Sequence, residues 1–308
     1  MGGSGGSYFS SDVAQVKKLL GTAEGELADA AFDGEVNSYL GELLTDYNDR
    51  DVEAIRKHLD QIRATIEAAH DSEVDLLFGG SIAKHTYVDG ISDVDALVFV
   101  DGTELANESP ETVKQQLAQL LRDRFVATDV SVGNLAITLK FADAEVQVLP
   151  ALRRGDKALI SDASGSAWSE IDPRGFASEL SKVNAERGNK VVPVVKLAKA
   201  LMAEFPAQHQ LTGYHAEALA VDVFKHYTDR LTPRDMLIHF FSTGSERVMS
   251  PIVDSTGQSV HVDAYLGAAQ SLQRQVVADA FRRTARRLKV ASMSKKLGAW
   301  KEIFGDEP

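Results

Sequence analysis

Apolar residues in the first part of the chain recur every three or four positions, a spacing that predicts helices with one buried face. Three such helices are predicted, over residues 12–27, 35–49 and 51–69, and a fourth over residues 110–125. Pro110 stands near the start of the fourth, where a helix tolerates proline. The Gly/Ser-rich residues 1–11 are predicted to be a flexible arm.

Short apolar runs bounded by turn residues predict β-strands between and after these helices. Leu76–Phe78 has the pattern of the end of a buried strand, and residues 92–100 that of a strand that is apolar after its first positions. Three further strands are predicted, over residues 126–132, 135–141 and 144–149, the last ending at Pro150. Residues 153–175 are rich in Asp, Ser and Gly and are interpreted as a long linker.

Beyond residue 177 the pattern is almost entirely helical. Helices are predicted over residues 191–204, 212–227, 233–242 and 263–293. Strands resume after the fourth helix, so the first half is expected to be a mixed α/β or α+β sheet domain, and with the helical second half the whole chain is expected to have an α+β fold. Its catalytic domain, residues 12–176, contains a mixed β-sheet; its helical domain, residues 177–308, follows, with a cleft between the two lobes.

Composition narrows the classes of partner and compartment. The 308 residues carry a formal net charge of −12, which argues against a general nucleic-acid coat or an anionic membrane surface as the main partner. There are no cysteines, so disulfides and thiolate metal sites are excluded. No apolar run reaches the ~18 residues of a membrane span, and no signal peptide is visible, so a cytoplasmic protein is expected.

Two carboxylates near the start of the second strand are the first candidates for chemistry. Asp93 and Asp95 are two positions apart on an extended segment, so both side chains are expected on one face of the sheet. Their repulsion is relieved by a cation, and hard oxygen ligands favour Mg²⁺ or Mn²⁺. Upstream, Gly80 and Ser81 follow the first strand, and a glycine-rich turn can present N–H groups to phosphates.

The order Gly-Ser, a loop of about a dozen residues, then Asp-x-Asp opening an apolar strand resembles the nucleotidyltransferase superfamily of the DNA polymerase β type. The segment Leu211–Glu217, LTGYHAE, is similar to a motif of cyclic GMP–AMP synthase, 2′-5′ oligoadenylate synthase and their bacterial relatives, the CD-NTases. Segments 235–241 and 253–257 resemble a late helix and a turn of the same family, so the resemblance runs over most of residues 8–300.

The resemblance implies an activity and assigns roles to residues. A CD-NTase-like enzyme joins nucleoside triphosphates such as ATP and GTP, releases pyrophosphate, and makes a cyclic di- or oligonucleotide for antiphage signalling. It implies a downstream effector, no membrane, and a regulatory protein as a further partner. The implied roles are metal binding by Asp93 and Asp95, β/γ-phosphate binding by Gly80 and Ser81, triphosphate binding by Lys196 and Lys199, and nucleotide contacts by Gly213 and a base-stacking Tyr214.

Taken alone, several of these residues also have ordinary structural interpretations. Lys196 and Lys199 could lie on a solvated helix face, and Tyr214 could be a packed aromatic residue. His215 and His239 are predicted to be structural rather than metal ligands.

One position departs from the family pattern. The third carboxylate of the family precedes a proline on a later strand, and the matching residue here is Gln147. An amide neither carries the negative charge that metals require nor takes a proton from the attacking hydroxyl. Three explanations stay open: an engineered inactive form, replacement of the acid by Glu145 two residues earlier, or a natural nucleotide binder with little or no turnover.

Two other functions therefore remain as alternatives. One is a catalytically silent nucleotide-binding regulator. The other is a transferase that makes linear oligonucleotides or extends an RNA end, which needs a basic track for the nucleic acid. Residues 273–296 offer one, although a solvated helix flank explains the same pattern. Its basic residues are Arg274, Arg282, Arg283, Arg286, Arg287, Lys289, Lys295 and Lys296.

Overall fold

The fold is taken from a computed structural model. It describes residues 8–47, 52–78, 86, 94–162, 164–253, 257 and 262–306.

The chain begins with two long helices, α1 at Tyr8–Asp46 and α2 at Val52–His70. The predicted break near residue 30 is wrong, because α1 runs through this region without interruption. Residues 8–11 of the predicted arm belong to α1, and residues 1–7 lie outside the described residues. Residues 28–34, ADAAFDG, contain three alanines and no proline, so a helix passes through them readily. Gly34 lies inside this helix at a cost of about 0.5–1 kcal/mol relative to alanine, too little to break it.

Five strands form the sheet that carries the candidate site, which confirms the predicted mixed sheet. They are β1 at Asp75–Phe78, β2 at Val94–Phe99, β3 at Asp129–Val132, β4 at Ile137–Lys140 and β5 at Glu145–Arg154. Their order is β1-β2-β5-β4-β3. Strands β2 and β5 run parallel, while the other neighbours are antiparallel.

Pro150 was expected to end the fifth strand, but β5 continues to Arg154. The Val100 N–H donates to the Ala151 carbonyl at 3.0 Å, so the polar backbone groups of Ala151 face β2 and those of Pro150 face the other way. On that other side, β4 has already stopped pairing, with Ile137 opposite Val148. A missing N–H at Pro150 therefore costs the sheet no hydrogen bond.

The interpretation of residues 153–175 as a linker is wrong. The end of β5 pairs with β6, Lys157–Ser161, which in turn pairs with β7, Trp168–Ile171. These strands are only five and four residues long, and a short run without a clear alternation gives a weak sequence signal.

The sheet has two unlike faces. Side chains at even positions of β2 and β5, such as Val98 and Val148, lie in a core with α2 and with α3, Pro110–Arg124. Side chains at odd positions lie on the opposite face, where Leu97 and Phe99 pack against Ala151 and Ile160. Asp95 and Gln147 are at odd positions, so the candidate site belongs to the face turned away from α2 and α3.

Helices make up the rest of the described chain. They are α4 at Pro173–Glu186, α5 at Val191–Ala203, α6 at Gly213–Phe224, α7 at Pro233–Arg247, α8 at Leu272–Ser294 and α9 at Leu297–Ile303. The helix predicted from residue 263 begins only at Leu272, because Gly267 has φ of +77° and ends a short 3₁₀ turn over Ala264–Leu266. Within the described residues, every helix is too short or too polar to span a bilayer.

The second half of α1 packs with these later helices rather than with the sheet. Phe32, Val36 and Leu40 belong to the same buried cluster as Phe240 and Phe281. The division into domains at residues 176 and 177 stays a prediction, and α1 is the element whose packing does not follow it.

Candidate active site

The parallel pairing of β2 with β5 places Asp95 opposite Gln147. Directly opposed residues on adjacent strands lie on the same face, about 4.8 Å apart between strands. Gln147 is half-buried and has Thr138 of β4 as its neighbour on the other side. The two residues that the resemblance placed in the catalytic set are thus brought together, although they lie far apart in sequence.

The other half of the predicted phosphate and metal site lies outside the described residues. Gly80, Ser81 and Asp93 belong by sequence to the stretch between β1 and β2. Their roles therefore stay predictions. The Asp254–Thr256 part of the predicted turn also lies outside the described residues.

Glu145, the candidate substitute for the missing acid, is directly opposite Lys140 on β4. A Glu145 carboxylate oxygen is 3.2 Å from Lys140 Nζ, in a pair in which both side chains reach solvent. Glu145 lies two residues before Gln147 on β5 and therefore on the same face of the sheet. A base at this position would have to leave its lysine partner, so a catalytic role for Glu145 stays a prediction.

Both candidate triphosphate lysines are buried on α5. Lys196 and Lys199 are each about 6% exposed, so the interpretation of the pair as a solvated helix face is wrong. Lys199 Nζ is 2.8 Å from Glu217 Oε1, and Glu217 is 1% exposed. The same ammonium donates to the Thr86 carbonyl at 3.2 Å. Triphosphate binding by either lysine stays a prediction.

The N-terminus of α6 brings the LTGYHAE motif to Lys199. The Thr212 hydroxyl caps the helix by accepting from the His215 N–H at 3.2 Å. A Cβ on Gly213 would lie 3.4 Å from Lys199 Nζ, so these two candidate nucleotide residues are neighbours. Tyr214 is half-buried and packs edge-on against Phe176, with ring centroids 4.7 Å apart. Its proposed stacking on a base stays a prediction.

His215 is structural, as predicted. It is fully buried, and its Nδ1 is 2.9 Å from the Tyr265 hydroxyl, which also accepts from the Thr212 N–H at 3.1 Å. Burial lowers the pKa of His215 to about 4; Asp263 opposes this shift, whereas Arg274 adds to it. The ring is therefore neutral at pH 7 and fixes the segment around Tyr265 to the start of α6.

Arg274 does not belong to a basic track. It is fully buried and pairs with the equally buried Asp263 at 2.9 Å, while donating to the Val248 and Gly267 carbonyls. By contrast, Arg282, Arg283, Arg286, Arg287, Lys289, Lys295 and Lys296 are exposed.

Sequence reasoning missed Thr86, Glu217 and Tyr265 as parts of the site. A signal existed for Glu217, because it interrupts the otherwise apolar run from Ala216 to Val221. A charged residue inside such a run is rarely buried without a partner. Nothing in the sequence distinguishes Thr86 from other threonines.

The donors at the β2–β5 pair fit a divalent cation in kind. By residue type, aspartate at position 95 would offer a carboxylate and glutamine at position 147 an amide oxygen, and such hard oxygen ligands suit Mg²⁺ or Mn²⁺. Within the described part of the chain, no three His, Asp or Glu residues gather in one place. Metal binding by Asp93 and Asp95 stays a prediction.

Comparisons with known proteins agree with this fold. Residues 35–184, which include both Asp95 and Gln147, match the family model of the Second Messenger Oligonucleotide or Dinucleotide Synthetase domain, SMODS. No curated protein matches the chain.

Solved CD-NTase structures share the fold over most of the chain at low sequence identity. CdnG of Bradyrhizobium diazoefficiens, in complex with GTP, is 14% identical, with 88% of this chain and 96% of that chain covered and a TM-score of 0.66. CdnC of Escherichia coli MS115-1, in a HORMA-deltaN complex, is 18% identical, with coverage of 82% and 90% and a TM-score of 0.63. DncV of Vibrio cholerae, a cyclic AMP-GMP synthase, is 10% identical, with coverage of 98% and 91% and a TM-score of 0.59.

The fold and the matched domain define a nucleotidyltransferase of the class that synthesises second-messenger oligonucleotides or dinucleotides. Residues 35–184 match that domain, and the described residues share their fold with solved CD-NTase structures.

Proposed function

We propose that this nucleotidyltransferase makes a cyclic di- or oligonucleotide that acts, through a separate effector, in antiphage signalling of the CBASS type. The match of residues 35–184 to the SMODS domain carries the proposal. The GTP in the CdnG structure and the cyclic AMP-GMP product named for DncV support nucleoside triphosphates as substrates. The HORMA complex of CdnC supports a regulatory protein as a further partner.

In the proposed reaction, a ribose hydroxyl oxygen of one nucleotide forms a bond to the α-phosphorus of another. The bond from that phosphorus to the bridging β-phosphate oxygen breaks, and pyrophosphate leaves. A second such step closes a dinucleotide ring. The hydroxyl proton passes to a base, and Gln147 is unsuited to that role because an amide has negligible basicity.

Asp93 and Asp95 are the residues that would hold Mg²⁺ or Mn²⁺, with the Gln147 amide oxygen as a neutral neighbour of Asp95. When bound, such an ion neutralises triphosphate charge and lowers the barrier to displacement. Gly80 and Ser81 would hold the β- and γ-phosphates, and Lys196 would add positive charge from α5. Gly213 and Tyr214 would contact the nucleoside at the start of α6, where the helix N-terminus favours anions.

The sharpest test of this proposal is an acid at position 147. We expect Gln147→Asp to raise Mg²⁺-dependent pyrophosphate release by a factor of about 10² or more, the usual contribution of a positioned general base. The matched control is Gln147→Asn, which has the shape of aspartate without its charge and is expected to stay at the level of the unaltered protein. Mass spectrometry of products from mixed nucleoside triphosphates identifies the bases and the ring size.

Equal rates for the Asp and Asn variants would show that position 147 does not supply the base. If both are active, Glu145→Gln tests the substitute acid, because it removes the carboxylate and also releases Lys140. Binding of triphosphate by every variant without any pyrophosphate release would select the silent nucleotide binder. Adding Asp95→Asn to Gln147→Asp is expected to abolish turnover.

The exposed basic residues of α8 favour a second candidate, a transferase that extends an RNA end. Arg283, Arg286 and Arg287 lie within about one turn and a half of helix and face solvent. The same product assay, with and without a short RNA, separates the two functions. Products longer than the added RNA, with a yield that falls steeply as salt rises, would support this candidate; cyclic products made from nucleotides alone would not.

A further inference from the structure

One residue of the stretch between β1 and β2 is held by a buried polar cluster on two helices. The Thr86 hydroxyl donates to Glu217 Oε1 on α6. Lys199 Nζ, on α5, lies 2.8 Å from the same carboxylate oxygen, 3.2 Å from the Thr86 carbonyl and 3.5 Å from the Thr86 hydroxyl. Thr86 is fully buried, as are both charged side chains to within a few per cent.

The lysine in this cluster is not readily available to another anion. An ion pair that has lost its water is stable only while both partners stay together, because removing one leaves an uncompensated buried charge. If Lys199 moved to a phosphate, it would leave Glu217 as such a charge. The additional bonds to Thr86 hold the ammonium in place, and the Gly213 backbone lies against it.

We propose that Lys199 and Glu217 form a buried clamp that fixes the chain at Thr86 to helices α5 and α6, and that Glu217 is a positioning residue for nucleotide transfer. The proposal rests on the proposed function, since Gly80, Ser81 and Asp93 belong by sequence to the same stretch as Thr86. The clamp joins the sheet, through that stretch, to the helices that carry Gly213 and Tyr214. It thereby fixes Thr86 relative to Gly213 and Tyr214.

A direct contact between Lys199 and the triphosphate would make the opposite prediction for Glu217. In that case, Glu217→Gln frees the ammonium from its counter-charge and strengthens triphosphate binding. In the clamp, Glu217→Gln weakens the attachment of Thr86, so triphosphate binding weakens. The sign of the change therefore separates the two roles, whereas Lys199→Met lowers affinity in both.

The first measurement is hydrogen exchange of nucleotide-free protein, which needs no activity. We expect the peptide that contains Thr86 to exchange about tenfold faster in Glu217→Gln and in Thr86→Val, the effect of losing one buried hydrogen bond. Helices α5 and α6 are expected to keep their protection. The matched control is Asp222→Asn, the same carboxylate-to-amide change on α6 at a half-exposed residue that pairs with Arg247.

The second measurement is calorimetric titration with a non-hydrolysable ATP or GTP analogue and Mg²⁺. We expect about tenfold weaker binding for Glu217→Gln and Thr86→Val and no change for Asp222→Asn. Thr86→Val keeps both charges and a nearly identical shape, so it remains informative if Glu217→Gln fails to fold.

Unchanged exchange at Thr86 in both variants, or tighter triphosphate binding by Glu217→Gln, would overturn the clamp. Absence of triphosphate binding by the unaltered protein would instead contradict the proposed function. Faster exchange at Thr86 would in that case still establish the clamp as a structural link, and only its role in positioning would be lost.

Discussion

At the scale of single residues, the environment of His215 decides its charge. The Tyr265 hydroxyl accepts from the Thr212 N–H, so its own hydrogen is available to His215 Nδ1. Protonating Nδ1 would remove that acceptor, because an N–H donates and cannot accept. His215 Nε2 has no hydrogen-bond partner among the described residues. Burial and this bond both favour the neutral ring, in agreement with a pKa lowered to about 4.

This lowered pKa predicts a loss of stability in acid. The unfolded chain protonates His215 near its ordinary pKa of 6.5 and the folded chain only near 4, so the unfolded state binds more protons between these values. The contribution is fully present above pH 6.5 and lost as the pH falls through 4, about 3 kcal/mol in all. Urea unfolding from pH 7 to pH 4 measures it.

The comparison variant is His215→Asn, whose amide oxygen can accept from Tyr265 but does not titrate. The free energy of unfolding of this variant should fall less steeply with acid than that of the unaltered protein. Parallel curves for the two proteins would show that His215 is not the responsible group.

At the scale of elements, the start of α4 shows why one glycine is required. The Asp172 side chain caps the helix by accepting from the Gly175 N–H at 2.7 Å. A Cβ on Gly175 would lie only 2.2 Å from the other carboxylate oxygen of Asp172. Any side chain at position 175 must therefore displace the cap.

We expect Gly175→Ala to be less stable than Gly41→Ala by about 1 kcal/mol, the usual contribution of an N-cap. Both variants gain the helix propensity of alanine, but Gly41, in α1, has open space where its Cβ would be. The difference between the two free energies of unfolding thus isolates the cap. Equal gains in stability would mean that Asp172 caps the helix without hindrance from a methyl group.

Elements with long periodic patterns were the ones that sequence could predict. Helices α2, α3 and α5 lie within a residue or so of their predicted bounds. Apolar residues at three- and four-residue spacing form one buried face only if the segment is a helix. Strands β6 and β7 were missed because their partners, not their own patterns, make them strands. Likewise, β5 continues past Pro150 because β4, the strand on the side that Pro150 faces, has already ended.

At the scale of the whole molecule, the described side chains of α1 pack in the helical core and not in the core between the sheet and α2. Leu40 of α1 is fully buried among the later helices, and Ile62 of α2 is fully buried beneath the sheet. The chain thus runs from the helical core to the sheet core and back to the helical core. A division of the chain at one residue therefore does not separate the residues of these two cores.

We expect Leu40→Ala to raise hydrogen exchange in α5 and α7, which α1 contacts, while leaving β2 and β5 protected, and Ile62→Ala to do the reverse. Each truncation removes buried methyl groups and leaves a cavity, at a cost of about 2–5 kcal/mol. If Leu40→Ala instead loosened the sheet first, the predicted assignment of α1 to the catalytic domain would be supported.

The sequence by itself determined the α+β class, the mixed sheet and the positions of Asp95 and Gln147 near the starts of two strands, because alternation and helical spacing are local properties of the chain. It also contains the match of residues 35–184 to the SMODS domain. Only the tertiary structure decided which of these residues meet. Three contacts join segments that are distant in sequence. Asp95 pairs with Gln147, Lys199 is buried against Glu217 and Thr86, and Arg274 is buried against Asp263. Such contacts depend on how the elements pack together, and no local pattern encodes that.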